Sequence, residues 1–88
     1  MTSHPRLATG ARLRYDDVRD EHLLLIPEGA VRLNPTAVAV LELCDGEHTV
    51  EEIVSALSER YGGADVSDDV HQLMTAMQQR GLVVDVVA

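Results

Sequence analysis

The sequence contains no lysine, phenylalanine or tryptophan, and it has a single cysteine, Cys44. One cysteine excludes a disulfide within the chain and a cysteine-rich metal site. Without phenylalanine and tryptophan, the core has to be filled by aliphatic residues and methionine, which predicts a shallow and adaptable core. No apolar run approaches the ~20 residues that span a membrane, and the first residues lack the apolar segment of a signal peptide. We therefore expect a soluble protein, located in the cytoplasm and without a membrane partner.

The charge is acidic and unevenly spread. The formal net charge is −8 over 88 residues. Residues 1–33 carry five arginines against five acids, whereas residues 34–88 carry ten acids against two arginines. Nucleic acids and anionic membranes are bound through lysine and arginine. The excess of acid therefore argues against both kinds of partner.

The N-terminal half has short strand patterns. Residues 1–10 hold a proline and a glycine among small and polar residues, and they predict a flexible N-terminal arm. The rest of the chain, residues 11–88, is expected to form a single domain. Apolar and alternating segments at 11–15, 22–26 and 30–33 predict three strands. Since the turns between them are too short for a crossover helix, the strands should form an antiparallel meander.

Three helices are expected to follow the strands. An Asn-Pro pair at 34–35 is typical of a helix start, and Thr-Val-Glu-Glu at 49–52 is a capping box that opens a second helix. A third helix begins near Asp65 and is closed by Gly81. Residues 82–87 are a final strand or a packing segment. The predicted fold class is α+β, a three-stranded antiparallel sheet followed by three helices, in a winged helix-turn-helix-like arrangement.

Several functions that this arrangement suggests are disfavoured by the residues. A DNA-recognition helix places its first residues at the bases, but the third helix opens with three aspartates and has its only arginine, Arg80, at the far end. The four histidines show no ligand spacing, and no glycine-rich phosphate loop is present. Adjacent acids on a helix point in different directions. We therefore expect no catalytic residues, no metal and no cofactor.

An apolar stripe on the third helix has two readings. It consists of Val70, Leu73, Met74 and Met77. Such stripes usually belong to the core, but methionines also line grooves that accept varied peptides. The third strand ends the meander, so its free edge can accept an extended peptide. Together the stripe and the edge favour a peptide-binding module over an enzyme.

A series of short motifs runs along most of the chain. They are Arg12-Leu13-Arg14-Tyr15-Asp16, Leu24-Leu25 with Pro27-Glu28-Gly29, Leu33-Asn34, Leu41-x-Leu43-Cys44-Asp45-Gly46, Thr49-x-Glu51-Glu52-Ile53 and Asp69-Val70. In order and spacing the set resembles the PqqD family over roughly residues 5–84. One departure is Leu73, which stands where the family pattern has an aromatic residue, so the groove should be shallower.

The resemblance implies a role in the biosynthesis of pyrroloquinoline quinone. PqqD-like proteins bind the leader of the precursor peptide PqqA and present it to the radical-SAM enzyme PqqE. The leader is held as an added strand on the third strand, against the third helix. Carried onto this chain, that mode implies backbone contacts from Gly29, Ala30, Val31, Arg32 and Leu33. The apolar wall would come from Val70, Leu73, Met74 and Met77, and which of them face the groove and which the core is open. Asp69 is either a polar contact at the groove entrance or only a charge on the helix dipole. Arg12 and Arg14 are a candidate docking surface for the enzyme.

Three alternatives stay open at this point. They are a recognition domain for another modified peptide, a winged-helix DNA-binding regulator and a free-standing enzyme. The oligomeric state is also open between monomer and homodimer, because a short free edge can pair with its own copy.

Overall fold

The computed structural model describes residues 3–87. The elements, in chain order, are β1 Ser3–Leu7, β2 Arg12–Asp16, β3 Glu21–Ile26, β4 Gly29–Leu33, α1 Pro35–Glu42, α2 Val50–Arg60, α3 Ser67–Gln79 and β5 Val83–Val87. The predicted α+β fold, with a three-stranded antiparallel sheet followed by three helices, is confirmed. Of the two possibilities for residues 82–87, the structure has a final strand.

The central sheet has the strand order β2-β3-β4. Leu24 in the middle of β3 pairs with Leu13 of β2 on one side and with Val31 of β4 on the other. Leu24 is fully buried, and both partners pack against the core. Because side chains alternate along a strand, the neighbours of Leu24 on β3 point to the opposite face of the sheet. The sheet therefore has an inner face toward the helices and an outer face away from them.

The helices begin where the sequence indicates, with one shift. Asn34 Oδ1 accepts a hydrogen bond from the N–H of Ala37 at 2.7 Å, which caps α1. The capping box of α2 is present. α3 begins at Ser67, two residues after the predicted start, because Asp65 accepts hydrogen bonds from the N–H and the hydroxyl of Ser67 in the turn before the helix.

The core lies between the inner face of the sheet and the three helices. Among the described residues, its buried members are aliphatic residues, methionine and the cysteine, as the composition requires. Its buried members are Leu24, Ala39, Val40, Leu41, Cys44, Ile53, Leu57, Val66, Val70, Met74, Met77, Leu82 and Val83.

The predicted N-terminal arm is corrected by the structure over residues 3–10; Met1 and Thr2 lie outside the described residues. Ser3–Leu7 is a strand that pairs antiparallel with β5. Pro5 is buried, and its carbonyl accepts a hydrogen bond from the N–H of Gly46 at 2.9 Å. The composition of the segment could not indicate this strand, because its partner lies at the other end of the chain.

Candidate peptide-binding site

The outer edge of β4 is free in the described part of the chain, because β4 pairs with β3 alone. Ile26 and Gly29 pair directly across a two-residue loop. The pair that closes such a loop is hydrogen-bonded, and hydrogen-bonded and non-bonded pairs alternate along an antiparallel ladder. The N–H and C=O groups of Ala30 and Arg32 therefore point to the free edge, whereas those of Val31 point to β3. The edge can hold an added strand through Ala30 and Arg32.

A cleft of about 450 Å³ opens beside the end of β4. Asn34, the residue directly after β4, belongs to its lining, so the cleft opens where β4 ends. Residues from the first turn of α1 form one side, and residues from α3 form the other. The lining consists of Asn34, Thr36, Ala37, Asp69, Gln72 and Leu73.

The lining is more polar than the predicted groove wall. Asp69 is exposed in the first turn of α3, where a carboxylate is stabilised by the helix dipole. Gln72 follows it at a spacing of three residues and therefore lies on the same face of the helix. Leu73 is half-buried and packs against the core from the cleft side. The cleft thus offers a carboxylate, amide groups and a small apolar floor.

Three of the predicted wall residues lie elsewhere. Val70 is fully buried, and Met74 and Met77 retain only 4% and 6% of their exposure. They belong to the core cluster, so the core reading of the stripe applies to these three side chains. Most of the α3 stripe therefore faces inward. Only Leu73, at the edge of the stripe, faces the cleft, together with the neighbouring Asp69. The sequence pattern shows the stripe but not which side of it is covered.

The site also contains residues that the sequence analysis missed. Asn34 was assigned only a capping role, and Thr36, Ala37 and Gln72 were not singled out. Gln72 had a usable signal, since it lies on the same helical face as Asp69. Thr36 and Ala37 had none, because the approach of α1 to α3 is set by tertiary packing.

The two arginines that were predicted to dock an enzyme lie away from the cleft. Arg12 and Arg14 are exposed on β2, at the opposite edge of the sheet from β4. The structure therefore does not bring them together with Asp69 or Leu73. They are separated from the candidate peptide site by the width of the sheet.

The remaining reactive group is the thiol of Cys44. It is buried, and burial is the main reason that its pKa is raised to about 12, with the nearby Asp45 carboxylate adding to the effect. Its Sγ donates a weak hydrogen bond to the carbonyl of Val40 at 3.4 Å. Within residues 3–87, no group of three potential metal ligands comes together. No helix in this part of the chain is long and apolar enough to cross a membrane.

The fold and the cleft define a class, a small winged-helix-like α+β module with an open strand edge beside a helix. The family model described as "Coenzyme PQQ synthesis protein D (PqqD)" matches residues 21–83. The chain belongs to the PqqD family, as its motifs indicated.

Curated relatives and solved structures agree with this family. A PqqA binding protein of Methylococcus capsulatus is 32% identical over 88% of this chain and 83% of its own length. A PqqA binding protein of Kluyvera intermedia is 42% identical over 86% of this chain and 85% of its own length. The solution structure of the PqqD truncation of Methylobacterium extorquens PqqCD, described as a stand-alone recognition element for ribosomally synthesised and modified peptides, superposes with a TM-score of 0.77. It is 38% identical and covers 91% of this chain and 87% of that one.

Proposed function

We propose that this protein binds the leader of PqqA as an added strand on β4 and presents it to the radical-SAM enzyme PqqE. The observation that carries the proposal is the free edge of β4, together with the cleft between α1 and α3 that opens where β4 ends. Main-chain pairing with an edge gives affinity, and pockets for alternate side chains give specificity. The relatives named as PqqA binding proteins support PqqA as the peptide.

The same observations support a binding role without catalysis. The candidate site holds one carboxylate, amides, a threonine hydroxyl and aliphatic groups, and the single thiol is buried in the core. A recognition element needs no reacting group of its own. The proposed recognition unit extends beyond residues 11–88, because β1 is paired with β5.

The contacts follow from the alternation of side chains along a strand. Ala30 and Arg32 would bond the backbone of the leader, since their N–H and C=O groups point to the free edge. Every second side chain of the leader would then face inward, toward Leu73 and Asp69. An apolar side chain fits beside Leu73, and a basic one fits near Asp69 because opposite charges attract. Val70, Met74 and Met77 would hold α3 in position from the core side.

The proposal is tested by titrating labelled PqqA with the wild-type protein and with two variants of one edge residue. Arg32→Pro removes an edge N–H, whereas Arg32→Ala removes the same guanidinium and keeps the N–H. We expect wild-type binding in the micromolar range or tighter. Arg32→Pro should bind about tenfold more weakly than Arg32→Ala, because a lost hydrogen bond costs about 1 kcal/mol or more.

Two outcomes would contradict the proposal. A wild-type dissociation constant weaker than about 100 μM (about −5.5 kcal/mol) would exclude PqqA as the ligand. Equal affinities of folded Arg32→Pro and Arg32→Ala would exclude strand addition at this edge. Circular dichroism of each variant confirms that the sheet is intact. Val31→Pro is the contrasting variant. The N–H of Val31 points to β3, so its removal should destabilise the β3–β4 hairpin itself.

A further inference from the structure

The outer face of the central sheet presents side chains that the proposed peptide site does not use, because that site takes only the backbone of β4 at its free edge. The pairing register sets Leu23 between Arg14 and Arg32, and Leu25 between Arg12 and Ala30. Since the alternate residue Leu24 is buried on the inner side, these side chains point away from the helices. We call this surface the outer face; its members are Arg12, Arg14, Asp16, Glu21, Leu23, Leu25, Ala30 and Arg32.

The centre of the outer face is apolar. Leu23 and Leu25 are only half-buried, and neither is among the residues that pack against the core. Antiparallel sheets with one solvated face normally place polar residues there. Two leucines in the central strand depart from that pattern, which is typical of a surface that a partner covers. A cleft of about 480 Å³ next to Leu25, lined also by Arg12 and Pro27, can receive a partner side chain.

The outer face carries more arginine than acid, although the protein as a whole is acidic. Three of the seven arginines lie on this face, against two acids, Asp16 and Glu21, which lie opposite each other at one end of the β2–β3 pair. Arg32 lies 3.4 Å from Glu21, but its side chain remains 79% exposed. Among the described residues, no carboxylate lies within salt-bridge distance of Arg12 or Arg14. These arginines are free to pair with acids of another molecule.

We infer that the outer face is a docking surface for an acidic protein surface with apolar side chains at its centre. Arginine around an apolar centre is characteristic of protein interfaces. A nucleic acid or an anionic headgroup layer fits less well, because the centre of the face is apolar and has no aromatic side chain on which bases stack. The identity of the partner rests on the proposed function: if the protein presents PqqA to PqqE, the partner that docks here is PqqE.

Docking on the outer face is compatible with a bound peptide. A strand added to β4 extends the sheet, and every second side chain of that strand lies on the outer face beside Arg32 and Ala30. A partner seated there contacts the protein and the outward side chains of the peptide together. We expect it to bind the loaded protein more tightly than the empty one.

The size of the face sets the strength of the contact. Three strands about 4.8 Å apart and five residues long give a face of roughly 10 by 17 Å. That is well below the roughly 800 Å² that each partner buries in a stable complex. The docking should therefore be transient and should weaken as salt is added.

The test uses the full chain with PqqE and PqqA. Arg12→Glu/Arg14→Glu reverses the charge of the face, and Leu23→Thr removes an apolar anchor while keeping a residue that favours strands. Arg60→Glu/Arg80→Glu is the matched control, because it changes the net charge equally at exposed sites on the helical side. We expect the two outer-face variants to bind PqqE about tenfold or more weakly, as loss of interface anchors does. Their affinity for PqqA should stay within about twofold of wild type, and the control should bind both partners normally, as charge changes outside an interface do.

Several results would overturn the inference. Unchanged PqqE binding by the folded outer-face variants would do so, and so would an equal loss in the helical-side control, since that would be a general charge effect. Arginine-dependent binding of the wild-type protein to random DNA or to phosphatidylglycerol vesicles would assign the face to a polyanion instead. Failure of the wild type to bind PqqA would count against the proposed function alone, because PqqE docking is measured separately without peptide.

Discussion

At the scale of single residues, Asp45 organises the loop between α1 and α2. Its Oδ1 accepts hydrogen bonds from the N–H of Glu47 at 2.8 Å and of His48 at 3.2 Å, and its Oδ2 lies 2.9 Å from Nδ1 of His48. The side-chain bond to His48 is the main reason that the pKa of Asp45 is lowered to about 2. The same bond raises the pKa of His48. Because Gly46 in this loop is bonded to Pro5 of β1, the pair helps to hold the N-terminal strand.

Replacing His48 should therefore change stability in a pH-dependent way. The pKa of His48 is higher in the folded state, so its contribution is fully present below about pH 6.5 and is lost as the pH rises through the raised pKa. We expect His48→Gln to be less stable than wild type at pH 5.5, with the difference shrinking at pH 8 and above. Urea unfolding at several pH values measures it. His71→Gln is the control, since His71 is exposed on α3 and no carboxylate among the described residues forms a salt bridge with it. An equal difference at all pH values would exclude the charged pair.

At the scale of elements, the start of α2 is fixed by a reciprocal pair of hydrogen bonds. Thr49 Oγ1 accepts from the N–H of Glu52 at 3.1 Å, and Glu52 Oε1 accepts from the N–H of Thr49 at 2.8 Å. The bonds to Thr49 also lower the pKa of Glu52. This start matters for the whole helix layer, because Ile53 and Leu57 carry α2 into the core.

Thr49→Ala should lower the free energy of unfolding by about 1 kcal/mol, since the cap oxygen is lost and a backbone N–H is left without a partner. Thr49→Ser keeps the oxygen and should stay close to wild type. Thr75→Ala, at an exposed position inside α3, serves as the comparison and should be neutral or slightly stabilising. Chemical unfolding of the three variants gives the values. A cost for Thr75→Ala as large as that for Thr49→Ala would show that the cap is not the cause.

The elements also show where sequence reasoning succeeds. The starts of α1 and α2 and the hairpin turns were predictable, because each depends on residues within one or two turns of the chain. β1 was not, because its pairing with β5 joins residues from opposite ends of the chain. The candidate site was predictable in part: the free edge of β4 follows from strand order, and the sequence already points to Asp69 and Leu73, which line the cleft. The inward orientation of Val70, Met74 and Met77 depends on how α3 packs, which a periodic pattern does not contain.

At the scale of the whole molecule, the β1–β5 pair ties the two ends of the chain to the loop that precedes α2. Leu7 donates its N–H to the carbonyl of Cys44 at 3.2 Å, in addition to the bond between Pro5 and Gly46. Val83 of β5 is buried in the core. The second sheet is therefore part of the folded unit and not an attachment to it.

Removal of residues 1–7 should destabilise the protein. The two loop bonds alone are worth about 2 kcal/mol, at about 1 kcal/mol for each hydrogen bond, and the lost ladder and the burial of Pro5 add to this. A domain of this size should then unfold more than about 10 °C lower. Thermal unfolding followed by circular dichroism measures the shift. An unchanged melting temperature would contradict this and would support the prediction, made from composition, that residues 1–10 are a flexible arm.

The β1–β5 register also determines how the module relates to whatever chain carries it. Ser3 pairs with Val87, and directly paired residues in antiparallel strands have Cα atoms only about 5 Å apart. The start of β1 and the end of β5 are therefore adjacent, at one end of the two-stranded β1–β5 sheet. A surface loop of a host protein can then carry the module as an insertion without being stretched, and a short linker can join the two ends into a circular permutant. The adjacent ends therefore allow the module to be moved into another protein with its fold intact.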